Sequence, residues 1–419
     1  MTAHDDPTWH PETLAVRAGY DPANAGNSAK PPITMTSTFA YASARQAKDI
    51  HEAYFDGTGP EAGKPNHIYA RLGHPNLDMV EARLAALDGA EAAAIFNSGM
   101  ATHSAIAMAH LRPGDCVVFS RPIYGGTNGL LTTFMPGFGV KSFAFTDGCD
   151  RADIERAVGQ ALAAGPLKLI IIETPANPTA AMVDIALVVA IADEVGTRTC
   201  ARPLVVVDNT LLGPLMQRPI ALGADLCMTS LTKYCGGHSD LLAGGVSGKL
   251  ALVHELRLLR TTLGSHLDPY TSWLLLRSME TVHLRMERAS ANARTIADHL
   301  RDHPKVAGLT YLGHLAEGTP ERAVYDRQCS GAGSTFSFAL VGGEAEAFRF
   351  LDALRLLSFA VSLGGSETLI THPATTTHYA ISPEERAAGG ITPATLRLSV
   401  GIEHVDDLIA DITHALAAV

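Results

Sequence analysis

The sequence Leu-Val-Val-Val-Asp-Asn-Thr at residues 204–210 describes a short strand with apolar residues on both faces, followed at once by a carboxylate. Such runs are typical of parallel sheets, which are covered by helices on both sides. The same pattern recurs along the chain, with apolar runs at 116–119, 167–172 and 224–228 and helical segments at 153–163 and 185–195. This alternation predicts an α/β fold built on a large, mostly parallel sheet.

The flanking segments extend this prediction. Apolar residues from Leu77 to Leu87 recur at helical spacing, and Gly89 stands where a helix C-cap belongs. A further helix is predicted at 99–110, and a long proline-free helical stretch at 270–300. A smaller mixed unit should follow, with strands at 306–312, 334–340 and 395–400 and helices at 344–357 and 405–416.

A chain of 419 residues is too long for one compact core. We therefore expect three regions. Residues 1–65 are rich in glycine and proline and form an N-terminal arm that lies on something else, such as another subunit. Residues 66–265 form the large sheet domain, and residues 266–419 form a smaller C-terminal α/β domain.

Composition excludes several classes of protein. Lys and Arg total 32 against 43 Asp and Glu, a net charge of −11, which is the wrong sign for a general nucleic-acid binder. The apolar run at 185–192 is far shorter than the roughly 20 residues that span a bilayer. Six cysteines without a Cys-x-x-Cys pair predict reduced thiols in a cytoplasmic protein, and no metal site is expected.

The common nucleotide and hydrolase signatures are missing. Gly63-Lys64 lacks the preceding glycine of a Walker loop, and no Gly-x-Gly-x-x-Gly follows a predicted strand. Gly-x-Ser-x-Gly is also absent. His372 and His378 do not have the helical spacing of zinc ligands.

Polar residues do follow the predicted strands, at the edge of a parallel sheet where ligands bind. Asp208 ends the strand at 204–207, and Ser230-Leu231-Thr232-Lys233 follows the strand at 224–228. A stiff turn at 173–178 presents Asn177. Each residue has an ordinary explanation alone, since Asp208 could cap the next turn and Lys233 could be a surface lysine.

In combination these residues describe one ligand. A phosphate requires the N–H groups at the start of the helix that Gly99 and Met100 open, together with the hydroxyls of Ser230 and Thr232. A protonated aromatic nitrogen requires the acid Asp208, and an aldehyde requires Lys233. Pyridoxal 5′-phosphate has all three groups, and its usual partners in proteins are a lysine and an acid on the ring nitrogen.

The chain also resembles the Cys/Met-metabolism family of pyridoxal-phosphate enzymes, which includes cystathionine γ-synthases, cystathionine γ- and β-lyases, methionine γ-lyases and homoserine-ester sulfhydrylases. The resemblance extends from Pro31-Pro32 to the last predicted helix. It is carried by Tyr69-Ala70-Arg71, Ser98-Gly99-Met100, Tyr124-Gly125-Gly126-Thr127, the segments 173–178, 208–210 and 230–234, and Leu396-Arg397-Leu398-Ser399-Val400-Gly401. It implies the type-I fold of pyridoxal-phosphate-dependent transferases.

The resemblance implies a role for each matching residue. Lys233 carries the cofactor and then moves protons, and Tyr124 stacks on the cofactor ring and helps to protonate the leaving group. Asp208 keeps the pyridine nitrogen protonated. The implied cofactor-binding residues are Tyr69, Arg71, Ser98, Gly99, Met100, Tyr124, Asn177, Asp208, Thr210, Ser230, Thr232 and Lys233. The implied substrate-binding residues are Asn177, Val361, Ser362 and Arg397, of which Arg397 suits a carboxylate.

The resemblance also implies a homotetramer of two active dimers, in which Tyr69 and Arg71 reach the phosphate of a neighbouring subunit. Several positions bear on the substrate. Gly126 matches the cystathionine enzymes and should leave room beside Tyr124, whereas Val361 and the segment 382–387 match methionine γ-lyases. His74 departs from the usual asparagine, and we expect it at the surface. Residues 51–65 are longer than in either group.

The favoured function is γ-elimination on a sulfur- or homoserine-type amino acid, which releases a 2-oxo acid and ammonia. The alternatives of the same class are γ-replacement, as in cystathionine γ-synthase or an O-acylhomoserine sulfhydrylase, and a cystathionine γ-lyase. A nicotinamide oxidoreductase leaves Lys233 and Asp208 unexplained. A catalytically silent relative is a further alternative, although no expected catalytic residue is missing.

Overall fold

The computed structural model describes residues 8–56, 67–379 and 381–419. A seven-stranded sheet with the order β1-β7-β6-β5-β4-β2-β3 forms its larger part. Its strands are β1 (Ala92–Phe96), β2 (Cys116–Ser120), β3 (Lys141–Phe145), β4 (Leu167–Glu173), β5 (Leu204–Asp208), β6 (Leu226–Thr229) and β7 (Gly244–Gly248). All neighbours pair in parallel except β7, which is antiparallel to β1 and β6. The predicted mostly parallel sheet is confirmed.

A second sheet of five strands follows in the chain. Its strands are β8 (Val306–Thr310), β9 (Thr335–Leu340), β10 (Ser358–Phe359), β11 (Leu369–Thr371) and β12 (Thr395–Ser399). The order is β10-β11-β12-β9-β8, and only β10 and β11 pair in parallel. The expected smaller α/β unit is therefore present.

The described residues also contain fourteen α-helices. They are α1 (Pro11–Arg17), α2 (Ala44–Phe55), α3 (Pro75–Asp88), α4 (Gly99–His110), α5 (Gly125–Gly129), α6 (Arg151–Ala164), α7 (Ile185–Thr199), α8 (Leu250–Leu263), α9 (Pro269–Met279), α10 (Val282–Arg301), α11 (Pro320–Gln328), α12 (Glu344–Ala353), α13 (Pro383–Ala388) and α14 (Val405–Ala417). Among these described helices, none combines the length and apolar character needed to cross a bilayer.

Helices cover both faces of the large sheet, as the strand β5 illustrates. Val206 packs in one core with residues of α4 and α8, whereas Val205 and Val207 pack in another with residues of α6 and α7. Successive side chains of a strand point to opposite faces, so an uninterrupted apolar run is buried on both sides. This arrangement leaves the carboxyl ends of the strands as the accessible edge.

The stretch predicted as one long helix at 270–300 is two helices, α9 and α10, separated at Glu280-Thr281. Residues 267–286 pack with α3, whereas Ala293 to Leu300 pack in the core of the small sheet. The division at residue 265 remains a prediction. Helical spacing continues through the break, which is why the sequence did not indicate it.

His74 is a second correction, because it is fully buried rather than on the surface. Its Nδ1 accepts the N–H of Leu77 at 3.2 Å, so the ring caps the N-terminus of α3. Its Nε2 lies 2.9 Å from the carbonyl oxygen of Leu267, which ties α3 to the segment that precedes α9. An imidazole can bridge two segments in this way because its two nitrogens point in different directions.

The N-terminal region packs on its own chain at its start. Leu14 and Ala18 lie in one core with α3, and Arg83 of that helix donates to the carbonyl oxygens of Val16 and Ala18. Further along, Trp273 Nε1 donates to the carbonyl of Pro31. Part of the long segment at 51–65 falls in 57–66, outside the described residues.

Candidate active site

The accessible edge of the large sheet carries two buried carboxylates side by side. Glu173 ends β4 and Asp208 ends β5, and the two residues are paired in register. Lys233 follows β6, the next strand of the sheet. Parallel strands place their carboxyl ends together, so residues distant in sequence meet there.

Asp208 is buried and hydrogen-bonded on both oxygens. Its Oδ1 accepts the N–H of Thr210 at 3.0 Å and the Thr210 hydroxyl at 2.6 Å. Its Oδ2 lies 3.0 Å from Nε2 of His103, a residue of α4 that is 3% exposed. Asp208 therefore does cap the next turn, as its ordinary explanation predicted, but only through Oδ1. Oδ2 takes no part in this cap and faces His103. His103 was not singled out by the sequence, because a histidine within an apolar helix shows no motif.

The N-terminus of α4 lies against Ser230. Ser98 caps the helix by accepting the N–H of Ala101, and the first N–H groups of a helix have no partner inside it. A Cβ on Gly99 would stand 3.0 Å from the Ser230 hydroxyl oxygen, so glycine allows the helix end to lie close to this side chain without displacing it. The Thr210 hydroxyl in turn accepts the N–H of Ser230 at 2.9 Å, which links this helix end to Asp208.

Thr232 lies beside these groups, but its hydroxyl is engaged in a different contact. Its oxygen donates to the carbonyl of Ala243 and accepts the N–H of Ala243, both at 3.0 Å. The hydroxyl therefore fastens the segment after β6 to the segment before β7.

Lys233 is largely buried, and its Nζ donates to the Ser362 hydroxyl at 2.8 Å. Burial, with a smaller contribution from the Arg397 guanidinium, lowers the pKa of the Lys233 amine to about 8. A neutral amine is the form that attacks a carbonyl, so this environment raises the fraction of the nucleophilic form above that of an ordinary lysine.

Arg397 lies on β12 of the small sheet and is 2% exposed. Its guanidinium donates to Asn177 Oδ1 at 3.0 Å and to the carbonyl oxygen of Ser362. Within the described residues its buried Nε–H has no acceptor. Burial lowers the pKa of Arg397 to about 10, and a buried cation with a free donor is prepared to bind an anion.

Ser362 joins the two sheets, because its hydroxyl accepts Lys233 and its carbonyl accepts Arg397. Its φ of +91° lies in the region that residues with a side chain seldom adopt. Such a backbone costs about 1–3 kcal/mol and persists where surrounding contacts enforce it, often at functional sites. The neighbouring Val361 is 56% exposed.

Glu173 is a residue whose role the sequence did not reveal. Its two carboxylate oxygens accept the backbone N–H of Tyr124 at 2.5 Å and that of Asn177 at 2.7 Å. Burial, followed by the negative charge of Asp208, raises the pKa of Glu173 well above its ordinary value. Glu173 thus positions two predicted site residues through their backbones, and the segment 173–178 was the available signal.

The expected room beside Tyr124 is absent, which corrects the interpretation of Gly126. A Cβ at Gly126 would stand 2.6 Å from Cε1 of Tyr124 and 2.8 Å from the sulfur of Met100. The space that the missing side chain leaves is therefore filled by the aromatic ring and the thioether. Gly126 lets Tyr124 and Met100 pack together rather than enlarging the site.

Tyr69 and Arg71 lie in a different place from this group. Arg71 donates to the carbonyl of Thr261 at 2.5 Å, and its guanidinium stacks 5.9 Å from the centre of the Tyr69 ring. The Tyr69 side chain is exposed. These interactions connect neither residue to Lys233 of the same chain.

The site matches the three functional groups of pyridoxal phosphate. The helix end beside Ser230 suits the phosphate, Asp208 suits the ring nitrogen, and the weakly basic Lys233 suits the aldehyde. Gly99 packs against Ser230, and Thr210 hydrogen-bonds both Ser230 and Asp208, so the helix end and Asp208 belong to one connected site. A type-I fold with such a site defines a pyridoxal-phosphate-dependent enzyme.

Comparison with known proteins gives the family. The sequence model of the family described as "Cys/Met metabolism PLP-dependent enzyme" matches residues 12–417. The chain therefore belongs to this family. It is 40% identical over 409 residues to an L-methionine gamma-lyase of Pseudomonas deceptionensis, and 39% identical over 407 residues to the cystathionine gamma-synthase of Escherichia coli. Each alignment covers 97% of both chains.

A solved structure is similar over the same length. Cystathionine gamma synthase from Xanthomonas oryzae pv. oryzae, in complex with cystathionine, has a TM-score of 0.86 and 35% identity. The similarity covers 98% of each chain. The predicted family, fold class and cofactor are thereby confirmed, and the family acts on small-molecule amino-acid substrates.

Proposed function

We propose that this enzyme catalyses γ-elimination on a sulfur- or homoserine-type amino acid, in the manner of a methionine γ-lyase, and releases a 2-oxo acid and ammonia. The observation that carries the proposal is the chain of contacts from Lys233 through Ser362 to Arg397 and Asn177. It places a proton-carrying amine beside an anchor for the substrate carboxylate. The similarity to L-methionine gamma-lyases supports the same reading.

Each residue of this chain has a separate task. Arg397 binds the substrate carboxylate through its unpaired Nε–H, and Asn177 keeps the guanidinium in place. Bound pyridoxal phosphate supplies an electron sink that makes the protons on the substrate's α- and β-carbons removable. Lys233, with a pKa of about 8, accepts and returns these protons near neutral pH.

Tyr124 serves the leaving group. Its backbone is held by Glu173, and its ring is packed against Met100 across Gly126. Tyr124 is 41% exposed, so a substrate can reach its side chain. A phenol fixed at this point would lie against the bound cofactor and would donate its proton to the departing sulfur or oxygen atom.

The apolar Val361 favours a short, uncharged substrate tail. Val361 immediately precedes Ser362, which contacts Lys233. Its side chain offers no charge to the second ammonium group of cystathionine. A thioether methyl or an acyl ester suits such a surface better than cystathionine does. This is the basis for ranking methionine-type and acylated substrates first.

The alternative is γ-replacement, in which a thiol adds where elimination would release the product. A specific observation favours it, since relatives at 36% and 39% identity are named O-succinylhomoserine sulfhydrylase and cystathionine gamma-synthase. A cystathionine γ-lyase is the remaining alternative, and the uncharged Val361 disfavours it. Replacement and elimination share Lys233, Arg397 and the cofactor.

The assembly we propose is a homotetramer of two active dimers in a cytoplasmic enzyme. Tyr69 and Arg71 contact each other and Thr261 instead of Lys233, which supports a role in a neighbouring subunit. The arm before them exposes the large apolar side chains of Met35 and Phe55. Contact with a neighbouring subunit would remove this apolar surface from water.

One assay tests the reaction and the substrate together. The holoenzyme is supplied separately with methionine, homocysteine, cystathionine and acylated homoserines, with and without a thiol, and 2-oxo acid release is measured. Elimination predicts 2-oxo acid from methionine or an acylated homoserine without thiol. A thioether product that forms only when thiol is added, without 2-oxo acid, would instead establish replacement.

A further inference from the structure

The helix α4 contacts two residues of the candidate cofactor site, Ser230 and Asp208. Its first residue, Gly99, packs against Ser230, and His103 lies four residues later. Residues separated by four positions share one face of a helix, one turn apart. Nε2 of His103 lies 3.0 Å from Oδ2 of Asp208, and both side chains are buried.

The hydrogen bonds on Asp208 leave little freedom to its carboxylate. Thr210 donates twice to Oδ1, and His103 faces Oδ2. A carboxylate has about four lone-pair positions, so these three interactions leave about one for a further donor. The Thr210 contacts come from the same loop, whereas His103 approaches from a separate helix.

We infer that His103 is a positioning residue, which holds Asp208 so that its remaining lone pair faces the ring nitrogen of pyridoxal phosphate. The helix α4 thereby positions both ends of the cofactor, the phosphate directly at its N-terminus and the nitrogen through His103. This inference rests on the proposed role of Asp208. It does not depend on which amino acid is the substrate.

The neighbouring charged groups explain why the Asp208 carboxylate needs a hydrogen-bond donor such as His103. Glu173 is paired beside Asp208 on the neighbouring strand, and like charges at this distance disfavour each other. A donor on Oδ2 fixes the orientation of the carboxylate, so that its remaining lone pair stays available to a protonated ring nitrogen. An apolar side chain at position 103 would remove this donor and leave the buried oxygen unsatisfied.

The experiment compares His103→Leu, which has no donor, with His103→Gln, which retains an uncharged amide donor. The affinity of each apoenzyme for pyridoxal phosphate is measured first, without any amino-acid substrate. Loss of a hydrogen bond to a charged group predicts about tenfold weaker cofactor binding for His103→Leu and a smaller change for His103→Gln. Nitrogen-15 spectra of labelled cofactor in each holoenzyme then report the protonation of the ring nitrogen.

We expect the ring-nitrogen signal to shift toward the unprotonated position in His103→Leu and to stay close to wild type in His103→Gln. His110→Leu is the matched control, since His110 lies on the same helix but faces Glu255 at 3.7 Å. It should leave both the affinity and the nitrogen signal unchanged. If His103→Leu does not fold, His103→Met, which also lacks a donor, replaces it, with the same expected loss of affinity and the same expected shift of the nitrogen signal.

The inference is overturned if His103→Leu binds the cofactor as wild type does with an unchanged nitrogen signal. It is also overturned if folded His103→Gln loses as much as His103→Leu, because the donated hydrogen bond would then be irrelevant. Failure of the proposed function looks different. In that case the wild-type protein would not bind pyridoxal phosphate at Lys233, or would turn over none of the proposed substrates.

Discussion

The two ends of the active site are built differently. The end that suits the cofactor lies on the large sheet, where Asp208, Ser230 and Lys233 lie at the ends of adjacent strands. Hydrogen bonds to the Thr210 hydroxyl link Asp208 to Ser230. The end that suits the substrate lies across the gap to the small sheet. There Ser362 adopts a strained backbone and Val361 is more than half exposed.

This difference indicates that substitutions can change the rate of the reaction and the preference among substrates separately. A change at the cofactor end disrupts a connected network, so its effect on turnover should be large and similar for every substrate. A change at an exposed position of the substrate end removes few contacts, so it should alter the ranking of substrates more than the reaction itself. The following variants test this contrast.

The largest effect is expected for Lys233→Ala. The variant loses the amine that links the cofactor and moves protons, so turnover should fall roughly 10⁴-fold for every substrate tested. Borohydride reduction followed by mass analysis should no longer trap cofactor on the chain. Lys249→Ala, at an exposed lysine before α8, is the control and should behave as wild type. A Lys233→Ala enzyme that retains trapping and turnover would contradict the assignment.

A second variant asks whether the cofactor end is completed by another subunit. Arg71→Ala and Lys233→Ala subunits are each expected to be inactive, and mixing them should create hybrid dimers with one intact site. Random exchange in a symmetric dimer predicts recovery of about a quarter of wild-type activity. Subunit exchange is verified with two mass tags. If exchange occurs and activity does not return, Arg71 does not act across the interface.

At the substrate end, Val361→Glu should change preference rather than abolish turnover. A hydrogen bond between charged groups contributes about 1.5–3 kcal/mol, which corresponds to roughly 10- to 150-fold in kcat/KM for cystathionine relative to methionine. Val361→Gln is the matched control, with similar size and no charge, and should shift the ratio less. A wild-type enzyme that already strongly prefers cystathionine would show that Val361 does not read the substrate tail.

The smallest effect is expected for the influence of Arg397, at the substrate end, on the pKa of Lys233, at the cofactor end. Because burial and Arg397 lower the pKa of Lys233 to about 8, the rate of cofactor incorporation into the apoenzyme should rise with pH and reach half its maximum near pH 8. Arg397→Gln removes the positive charge, so the Lys233 pKa should rise and the midpoint should move to higher pH. A midpoint that stays unchanged would show that the two sheets are not electrostatically coupled at this point.

Most of the large sheet was predictable because its central strands are long apolar runs. The edge-side strands were not: β1 has the sequence Ala-Ala-Ala-Ile-Phe and β7 has Gly-Gly-Val-Ser-Gly, which have little strand propensity of their own. The glycines of β7 let this strand lie close to its neighbours, where a side chain would collide with the packed segments. A Cβ on Gly244, for example, would stand 2.3 Å from the carbonyl oxygen of Ser98.

The sequence alone determined the fold class and the cofactor, because Asp208, Lys233 and the helix start at Gly99 adjoin strand and helix signals that predict their meeting. It indicated the family through the resemblance of its motifs. Tertiary structure decided the rest. The approach of His103 to Asp208, the backbone support by Glu173, the bridge from Lys233 through Ser362 to Arg397, and the burial of His74 join residues far apart in the chain. Local patterns specify elements, whereas such contacts depend on how completed elements pack, which no short stretch of sequence encodes.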